Sequence, residues 1–118
     1  MIFKNNKLKF GFLDKNVKKL VKQVRKKHPL TYEVIFSYNS LASEIEKNFV
    51  KENPTNIDIY VFTVFNQIHT TFQSGIILTE RGLCSDALIL LRTMYESLFK
   101  MKYVIKDDNH INDIINDD

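Results

Sequence analysis

The stretch over residues 80–103, ERGLCSDALILLRTMYESLFKMKY, constrains the fold more than any other part of the chain. Gly82 follows a helical pattern and suits the left-handed position just past a helix end, where Leu83 can make the accompanying apolar contact. Ser85 is expected to cap the next helix, with Asp86 at the positive end of its dipole. Because the link between the two helices is so short, the sequence predicts an antiparallel helical hairpin.

The composition favours helices in the rest of the chain as well. The 118 residues are 44% hydrophobic and 26% charged, as in ordinary globular proteins, and only three glycines and two prolines are present. We therefore predict a single all-α domain over residues 1–118. It is an antiparallel bundle of four main helices with an irregular N-terminal arm and a short C-terminal helical turn. This turn looks unfinished, which suggests an N-terminal fragment of a longer protein.

The first half of the predicted bundle contains an arm and two helices. Residues 2–13 are predicted as an irregular arm, with a short strand as the alternative. Asp14 is expected to cap a first helix that ends at residue 27, because Pro29 disfavours helical backbone at the residue before it. A second helix is predicted over residues 30–52, where an apolar stripe keeps the helical period until Pro54.

The third predicted helix, over residues 57–81, has an ambiguous start. Its first residues, IDIYVFTVF, are β-branched and aromatic and could form a strand. However, no turn signal follows before Gly82, and the run is far too long for one strand. Thr55 and Asp58 have the spacing of a capping box, which favours a helix. Gly75, in the middle of this helix, is expected to let a neighbouring helix approach closely.

Charge is distributed unevenly along the chain. Residues 1–27 contain nine lysines and Arg25 against Asp14 alone, a net charge of +9, which leaves −6 on the remainder. A basic segment of this kind can bind nucleic acid or an acidic partner, or can be a solvated helix face. The residues expected to bind are Lys15, Lys18, Lys19, Lys22, Arg25 and Lys26.

Arg92 and Glu96 are the most conspicuous charged residues of the fourth helix. On a helical wheel Ser97 lies opposite the apolar face, and the centre of that face is formed by Leu91, Met94, Leu98 and Ile105. The charged pair falls at the edge of that face, so we expect it to be partly buried. Three interpretations stay open: a polar pair that fixes packing, a ligand or catalytic pocket, and an interface pair.

The third helix carries four polar residues on one side, which could meet Arg92 and Glu96 if that side faces the fourth helix. These residues are Asn66, His69, Gln73 and Glu80. We expect His69 to be a core or boundary histidine with one satisfied nitrogen, with general acid–base catalysis as the alternative. No catalytic residue is assigned beyond the candidates Arg92, Glu96 and His69.

The sequence argues against a metal site, a cofactor site, a nucleophilic cysteine and a place in the membrane. No His/Cys/Asp/Glu cluster has metal-ligand spacing, no glycine-rich phosphate loop is present, and we expect neither a metal nor a cofactor. Cys84 precedes a helix but has no visible base beside it. No apolar run is long enough to span a membrane and no signal peptide is evident, so a cytoplasmic protein is expected.

The hairpin resembles an uncharacterised family of helical bacterial and phage proteins, whose pattern is an Arg-Gly turn, an acidic-Ala helix start, a leucine run, then Arg and Glu four apart. The matching residues are Arg81, Gly82, Asp86, Ala87, Leu91, Arg92 and Glu96. It is also similar to helical domains of prokaryotic toxin and phage-defence systems. Ribonuclease members of that group have a histidine four to six residues after an arginine, which is absent after Arg92.

These observations leave three hypotheses for function. The first is a non-enzymatic binding or assembly module that contacts a protein partner or itself, in a defence, toxin–antitoxin or counter-defence setting implied only by the resemblance. Its expected interface is Ile111, Ile114 and Ile115, which have the spacing of one more helical turn. The second is nucleic-acid binding by the lysine-rich head, and the third is a hydrolase or nuclease built on Arg92, Glu96 and His69.

Overall fold

The computed structural model describes residues 8–49, 51–107 and 109–116, and within these ranges the chain is helical with no strand. A short 3-10 turn at Gly11–Leu13 precedes five helices. They are α1 (Val17–Lys27), α2 (Pro29–Asn48), α3 (Asn56–Glu80), α4 (Cys84–Lys106) and α5 (His110–Asn116). The predicted all-α class is confirmed. Much of the predicted N-terminal arm, residues 1–7, lies outside the described ranges.

The α3–α4 hairpin forms as predicted, around a glycine turn. Gly82 has φ of 83°, and its backbone N–H donates to the carbonyl of Thr79 at 3.0 Å, while the N–H of Leu83 donates to that of Leu78 at 2.9 Å. This is the Schellman arrangement that ends many helices. The prediction that Ser85 caps α4 is wrong, because Leu83 already accepts the first helical hydrogen bond, from Ala87 at 3.1 Å.

The start of α3 confirms the capping box. The Thr55 side chain accepts from the backbone of Asp58 at 3.2 Å, and the Asp58 carboxylate accepts from the backbone of Thr55 at 3.0 Å. Backbone donation by Thr55, and then the Lys51 ammonium, lower the pKa of Asp58. These bonds satisfy two of the four orphan N–H groups of a helix start, so α3 begins as a helix despite its strand-like composition.

Three local predictions need correction. Asp14 does not cap α1; its carboxylate accepts from the backbone of Asn16 and Phe10 in the preceding loop, and these bonds lower its pKa. Helix α2 ends at Asn48, earlier than predicted, and the ring of Phe49, the next residue, stacks on Phe62. A Cβ at Gly75 would meet nothing within 4 Å, so the expected close helix approach is absent.

The helices are arranged more openly than a closed bundle. Helix α4 packs along α3, α2 lies against α3, α1 contacts α3 and α2, and α5 packs on α4. The radius of gyration is 18.3 Å, with extents of 56 × 29 × 21 Å. A compact chain of this length has a radius of gyration of about 13 to 14 Å. The described helices therefore leave much of their apolar surface uncovered.

Candidate functional site

A buried carboxylate joins α1 and α2 to the end of α3. Glu80 is 2% exposed, and its two oxygens accept from Nε of Arg25 at 2.5 Å and from Nη2 at 3.2 Å. The guanidinium also lies over the rings of Tyr32 and Phe36, at 5.4 and 5.5 Å from their centroids. The hydrogen bond to Glu80 raises the pKa of Arg25, while burial and then the Glu80 carboxylate raise the pKa of Tyr32 to about 12.

This pair changes the predicted roles of both residues. Glu80 could have met Arg92 and Glu96 if its side of α3 faced α4, but its partner lies on α1. Arg25 was expected to bind an external partner together with the lysines of α1. Its guanidinium is instead held by Glu80, although the side chain remains about half exposed. Arg25 and Glu80 thus fix the angle at which α1 meets the scaffold.

A second polar cluster joins α2 to the middle of α3. The Nδ1–H of His69 donates to Oε1 of Glu46 at 2.7 Å, and Nε2 lies 2.8 Å from Oδ1 of Asn39. Gln73 donates to the same Asn39 oxygen at 2.8 Å. His69 and Gln73 therefore face α2, and the possible contact of these two residues with Arg92 and Glu96 of α4 is not formed. Both ring nitrogens of His69 are engaged, where one was expected.

The predicted burial of Arg92 and Glu96 is also wrong. Nε of Arg92 lies 3.2 Å from Oε1 of Glu96, with the two side chains 83% and 61% exposed. His69, by contrast, is buried between α2 and α3. The described residues therefore do not bring the three candidate catalytic residues together. Asn66 is half-buried on α3.

Arg92 and Glu96 are exposed because of the way α4 is rotated about its own axis. The side that packs on α3 is its half-buried and buried line: Ala87, Leu90, Met94, Ser97, Leu98, Met101 and Val104. Ser97 thus lies on the inner side, although the wheel placed it opposite the apolar face. Leu91 and Ile105, expected near the centre of that face, are exposed.

Large apolar side chains consequently form a stripe on the solvent side of α4. Leu88, Leu91, Tyr95 and Phe99 follow one another at three- and four-residue intervals, and all are exposed, Phe99 by 64%. The rings of Tyr95 and Phe99 stack with centroids 6.4 Å apart. We call these four residues the α4 stripe.

Helix α2 carries a second exposed apolar row. We call Leu30, Val34, Tyr38, Leu41 and Ile45 the α2 stripe. Three of its members, Tyr38, Leu41 and Ile45, line an almost wholly apolar groove of about 400 Å³. Phe65, Ile68, His69 and Phe72 of α3 and Met94 of α4 complete the lining. The groove therefore runs between α2 and α4 over α3, where a further helix would lie in a four-helix bundle.

The C-terminal helix docks on α4 through one apolar and several polar contacts. The ring of His110 stacks on Tyr103 with centroids 3.8 Å apart, and its Nδ1–H donates to the Tyr103 carbonyl at 2.8 Å. The Tyr103 hydroxyl donates to Asp113 at 3.0 Å, and this hydrogen bond raises the pKa of Tyr103. Ile111, one of the three isoleucines predicted to form an interface, is buried within its own chain. Ile114 is half-buried and Ile115 is exposed.

The five lysines predicted to bind a partner, Lys15, Lys18, Lys19, Lys22 and Lys26, are exposed. Lys18, Lys22 and Lys26 follow one another along one side of α1, with Lys15 and Lys19 beside them. None of the five lies within 4 Å of a carboxylate oxygen in the part of the chain that the structure describes. Their charge is therefore available to a partner.

The described part of the chain contains neither a metal-binding cluster nor a membrane-spanning helix. Among residues 8–49, 51–107 and 109–116, no group of three or more His, Cys, Asp or Glu side chains could hold a metal ion. In the same ranges no helix is both long enough and apolar enough to cross a membrane.

The fold and the surface define the class of the protein: an all-helical domain built on an antiparallel hairpin, with large apolar side chains exposed on α2 and α4. Residues 58–118 match a family of unknown function, DUF5677, and the chain belongs to this family. The match begins at the capping box of α3 and includes the whole hairpin. No curated protein and no solved structure matches the chain.

Proposed function

We propose that this protein is a non-enzymatic helical association module, which binds a protein partner through the α4 stripe and the α2 stripe. The observation that carries the proposal is the orientation of α4. Small side chains such as Ala87 and Ser97 lie on the packed side, while Tyr95 and Phe99 lie in solvent. Contiguous exposed apolar patches of this kind mark interaction sites in soluble proteins. Aromatic side chains are also enriched at the centres of interfaces.

The accessible surface of the chain supports the same proposal. It measures 9371 Å². A compact monomer of this mass exposes about 6,700 Å². The difference, on the order of 2,700 Å², exceeds the roughly 800 Å² that each partner contributes to a standard interface. In this proposal a helix of the partner lies against the groove and completes the antiparallel four-helix bundle that the described helices leave open.

The biological setting rests on the resemblance alone. Similarity of the hairpin to helical domains of prokaryotic toxin and phage-defence systems supports a defence, toxin–antitoxin or counter-defence role. Neither His69 nor the exposed Arg92–Glu96 pair supports catalysis, because His69 has both nitrogens engaged and the pair lies apart from it.

The experiment compares two variants with a matched control. Tyr95→Glu and Phe99→Glu place a charge in the α4 stripe, and Thr93→Glu places the same charge on the same helix, roughly 160° around from Tyr95. Light scattering over a range of concentrations follows self-association. A photo-reactive amino acid at position 95 captures any partner. We expect the two stripe variants to lose association and Thr93→Glu to keep it. A monomeric wild type that yields no cross-linked partner would refute the proposal.

Nucleic-acid binding by α1 is a second candidate, favoured by the unpaired lysine face. It predicts binding that weakens steeply with salt and is lost in Lys18→Glu/Lys19→Glu/Lys22→Glu. The control is a triple Lys→Glu change at residues 100, 102 and 106 of α4, which alters the net charge equally at another site. Affinity that ignores salt, or that falls equally in both triple variants, would count against this candidate.

A further inference from the structure

Two large apolar side chains lie in solvent immediately before α1. Leu13 is 93% exposed and Phe10 is 69% exposed. Both belong to a tight turn, in which the backbone N–H of Leu13 donates to the Phe10 carbonyl at 3.3 Å. The Asp14 carboxylate accepts from the backbone of Phe10 at 3.1 Å and from that of Asn16 at 2.9 Å, so the turn is held against the start of the helix. We call residues 10–13 the N-terminal turn.

Exposed lysines lie on both sides of this turn along the chain. The Lys9 ammonium is 5.6 Å from the centre of the Phe10 ring. Lys15 comes two residues after Leu13, so their Cα atoms are at most about 8 Å apart. Further lysines extend the basic surface over about 12 Å of α1, at residues 18, 22 and 26. Apolar and cationic side chains are therefore exposed within a short distance of one another.

Few acidic side chains oppose this positive charge. Residues 8–36 contain seven lysines and Arg25 against Asp14 and Glu33, a net charge of +6. Asp14 is buried beneath backbone donors of the loop. Glu80, the carboxylate that α3 places beside α1, is also buried and is paired with Arg25. The surface remains strongly basic when Glu80 is included.

We infer that the N-terminal turn and the lysines of α1 together bind the surface of an anionic phospholipid membrane. In this arrangement Phe10 and Leu13 enter the boundary between headgroups and acyl chains, while the lysines attract acidic headgroups. Clusters of about four to eight basic side chains on an amphipathic helix are typical of such contacts. The turn lies on the bilayer surface and does not span it.

The exposed leucine favours a membrane over a nucleic acid. The lysines alone fit either polyanion, because both attract them by charge. Leu13, however, has no ring to stack on a base and gains nothing beside a phosphate. It gains by leaving water for an acyl environment. The inference goes beyond the proposed association, because it uses neither the α2 stripe nor the α4 stripe.

The first test is co-sedimentation of the full chain with vesicles of phosphatidylcholine alone, or of phosphatidylcholine mixed with phosphatidylglycerol. We expect binding to the mixed vesicles only, and weaker binding as salt increases. Phe10→Ser/Leu13→Ser removes apolar surface without changing the charge and is expected to weaken binding by roughly tenfold or more. The matched control is Ile105→Ser/Ile115→Ser, which removes two exposed apolar side chains elsewhere and should bind like wild type.

A second pair of variants tests the lysines. Lys18→Glu/Lys19→Glu/Lys22→Glu is expected to abolish binding to the mixed vesicles. The triple Lys→Glu change at residues 100, 102 and 106 alters the net charge equally and should retain binding. Circular dichroism checks that each variant folds.

Fluorescence reports whether the turn enters the bilayer. The chain contains no tryptophan, so Phe10→Trp introduces a single fluorophore in the N-terminal turn. We expect its emission to move to shorter wavelength with mixed vesicles and to be quenched by lipids brominated on the acyl chains. Ile115→Trp, at an exposed position of α5, should show neither effect.

The outcomes separate a membrane from the other partners. A chain that does not bind the mixed vesicles would overturn the inference. Binding that is lost in the α1 lysine variant but unchanged in Phe10→Ser/Leu13→Ser would also overturn it, because charge alone would then explain the contact. Salt-sensitive binding to nucleic acid without binding to vesicles would favour the second candidate function. None of these results affects association through position 95, so the proposed function is tested separately.

Discussion

Removing the Glu80 carboxylate tests whether the scaffold depends on its pair with Arg25. In Glu80→Gln the shape is kept, but the buried charge is lost and one of the two strong hydrogen bonds is weakened. Breaking a fully buried ion pair costs about 3–5 kcal/mol. Because the Arg25 side chain is about half exposed, water can solvate the guanidinium that remains. The expected loss is therefore smaller, about 2 kcal/mol, typical of hydrogen bonds to charged groups.

The chain contains its own control for this experiment. Arg92 and Glu96 form an ion pair of the same residue types, but both side chains are largely exposed. Exposed helix pairs contribute about 0.3–0.5 kcal/mol, so Glu96→Gln should be almost silent. Urea unfolding at one fixed protein concentration measures both variants, since association would shift apparent stability. For a chain of this length, about 2 kcal/mol corresponds to a fall in Tm of roughly 8 °C. Equal costs for Glu80→Gln and Glu96→Gln would refute the assigned role of the buried pair.

Three further predictions concern stability. Gly75→Ala should stabilise the chain by about 0.5–1 kcal/mol, because a Cβ at this position meets nothing within 4 Å. A lower free energy of unfolding in urea would contradict this and would indicate a neighbour close to Gly75. Asp58, whose pKa is lowered in the folded state, stabilises above its unfolded pKa, and this contribution is lost as the pH falls through the folded value. Asp58→Asn should therefore destabilise at pH 7 and lose less stability than wild type on acidification to pH 3; equal losses would contradict this. Ile111→Ala should detach α5 from α4 at a cost of about 2 kcal/mol, because the side chain is buried, whereas Ile115→Ala at an exposed position should have little effect. Faster amide hydrogen exchange in residues 110–116 of the Ile111→Ala variant alone would show this.

Local features were predictable because they depend on near neighbours in the chain. The capping box at Thr55 and Asp58, the glycine turn at Gly82 and the end of α1 before Pro29 each depend on a few residues, and all three are confirmed. The helical state of α3 followed from length and capping even though its first residues favour a strand. By contrast, the exact starts of α1 and α4 depend on loop hydrogen bonds that spacing does not encode.

The polar contacts were not predictable, because their partners are far apart in sequence. Glu80 was identified as a polar residue on α3, but its partner Arg25 lies 55 residues earlier and was read as part of a lysine face. Helical periodicity shows which residues share a face and leaves open which neighbouring helix that face meets. On α3, His69 and Gln73 are one turn apart, and on α2, Asn39 and Glu46 are two turns apart. Each pair therefore lies on one side of its helix, and this spacing is a signal in the sequence for the contact between the two helices.

The rotation of α4 could not be predicted for a related reason, and this reason bears on function. Apolar residues occupy so much of its circumference that the centre of the apolar face on a helical wheel does not identify the side that packs inward. Helix α3 covers only the side that contains Ala87 and Ser97, and α5 covers only the end. A helix that is apolar on most sides requires cover on more than one of them, from its own chain or from another. Because Tyr95 and Phe99 are among the largest apolar side chains of α4 and lie in solvent, the excess of apolar residues around this helix is itself the sequence signal for the proposed partner.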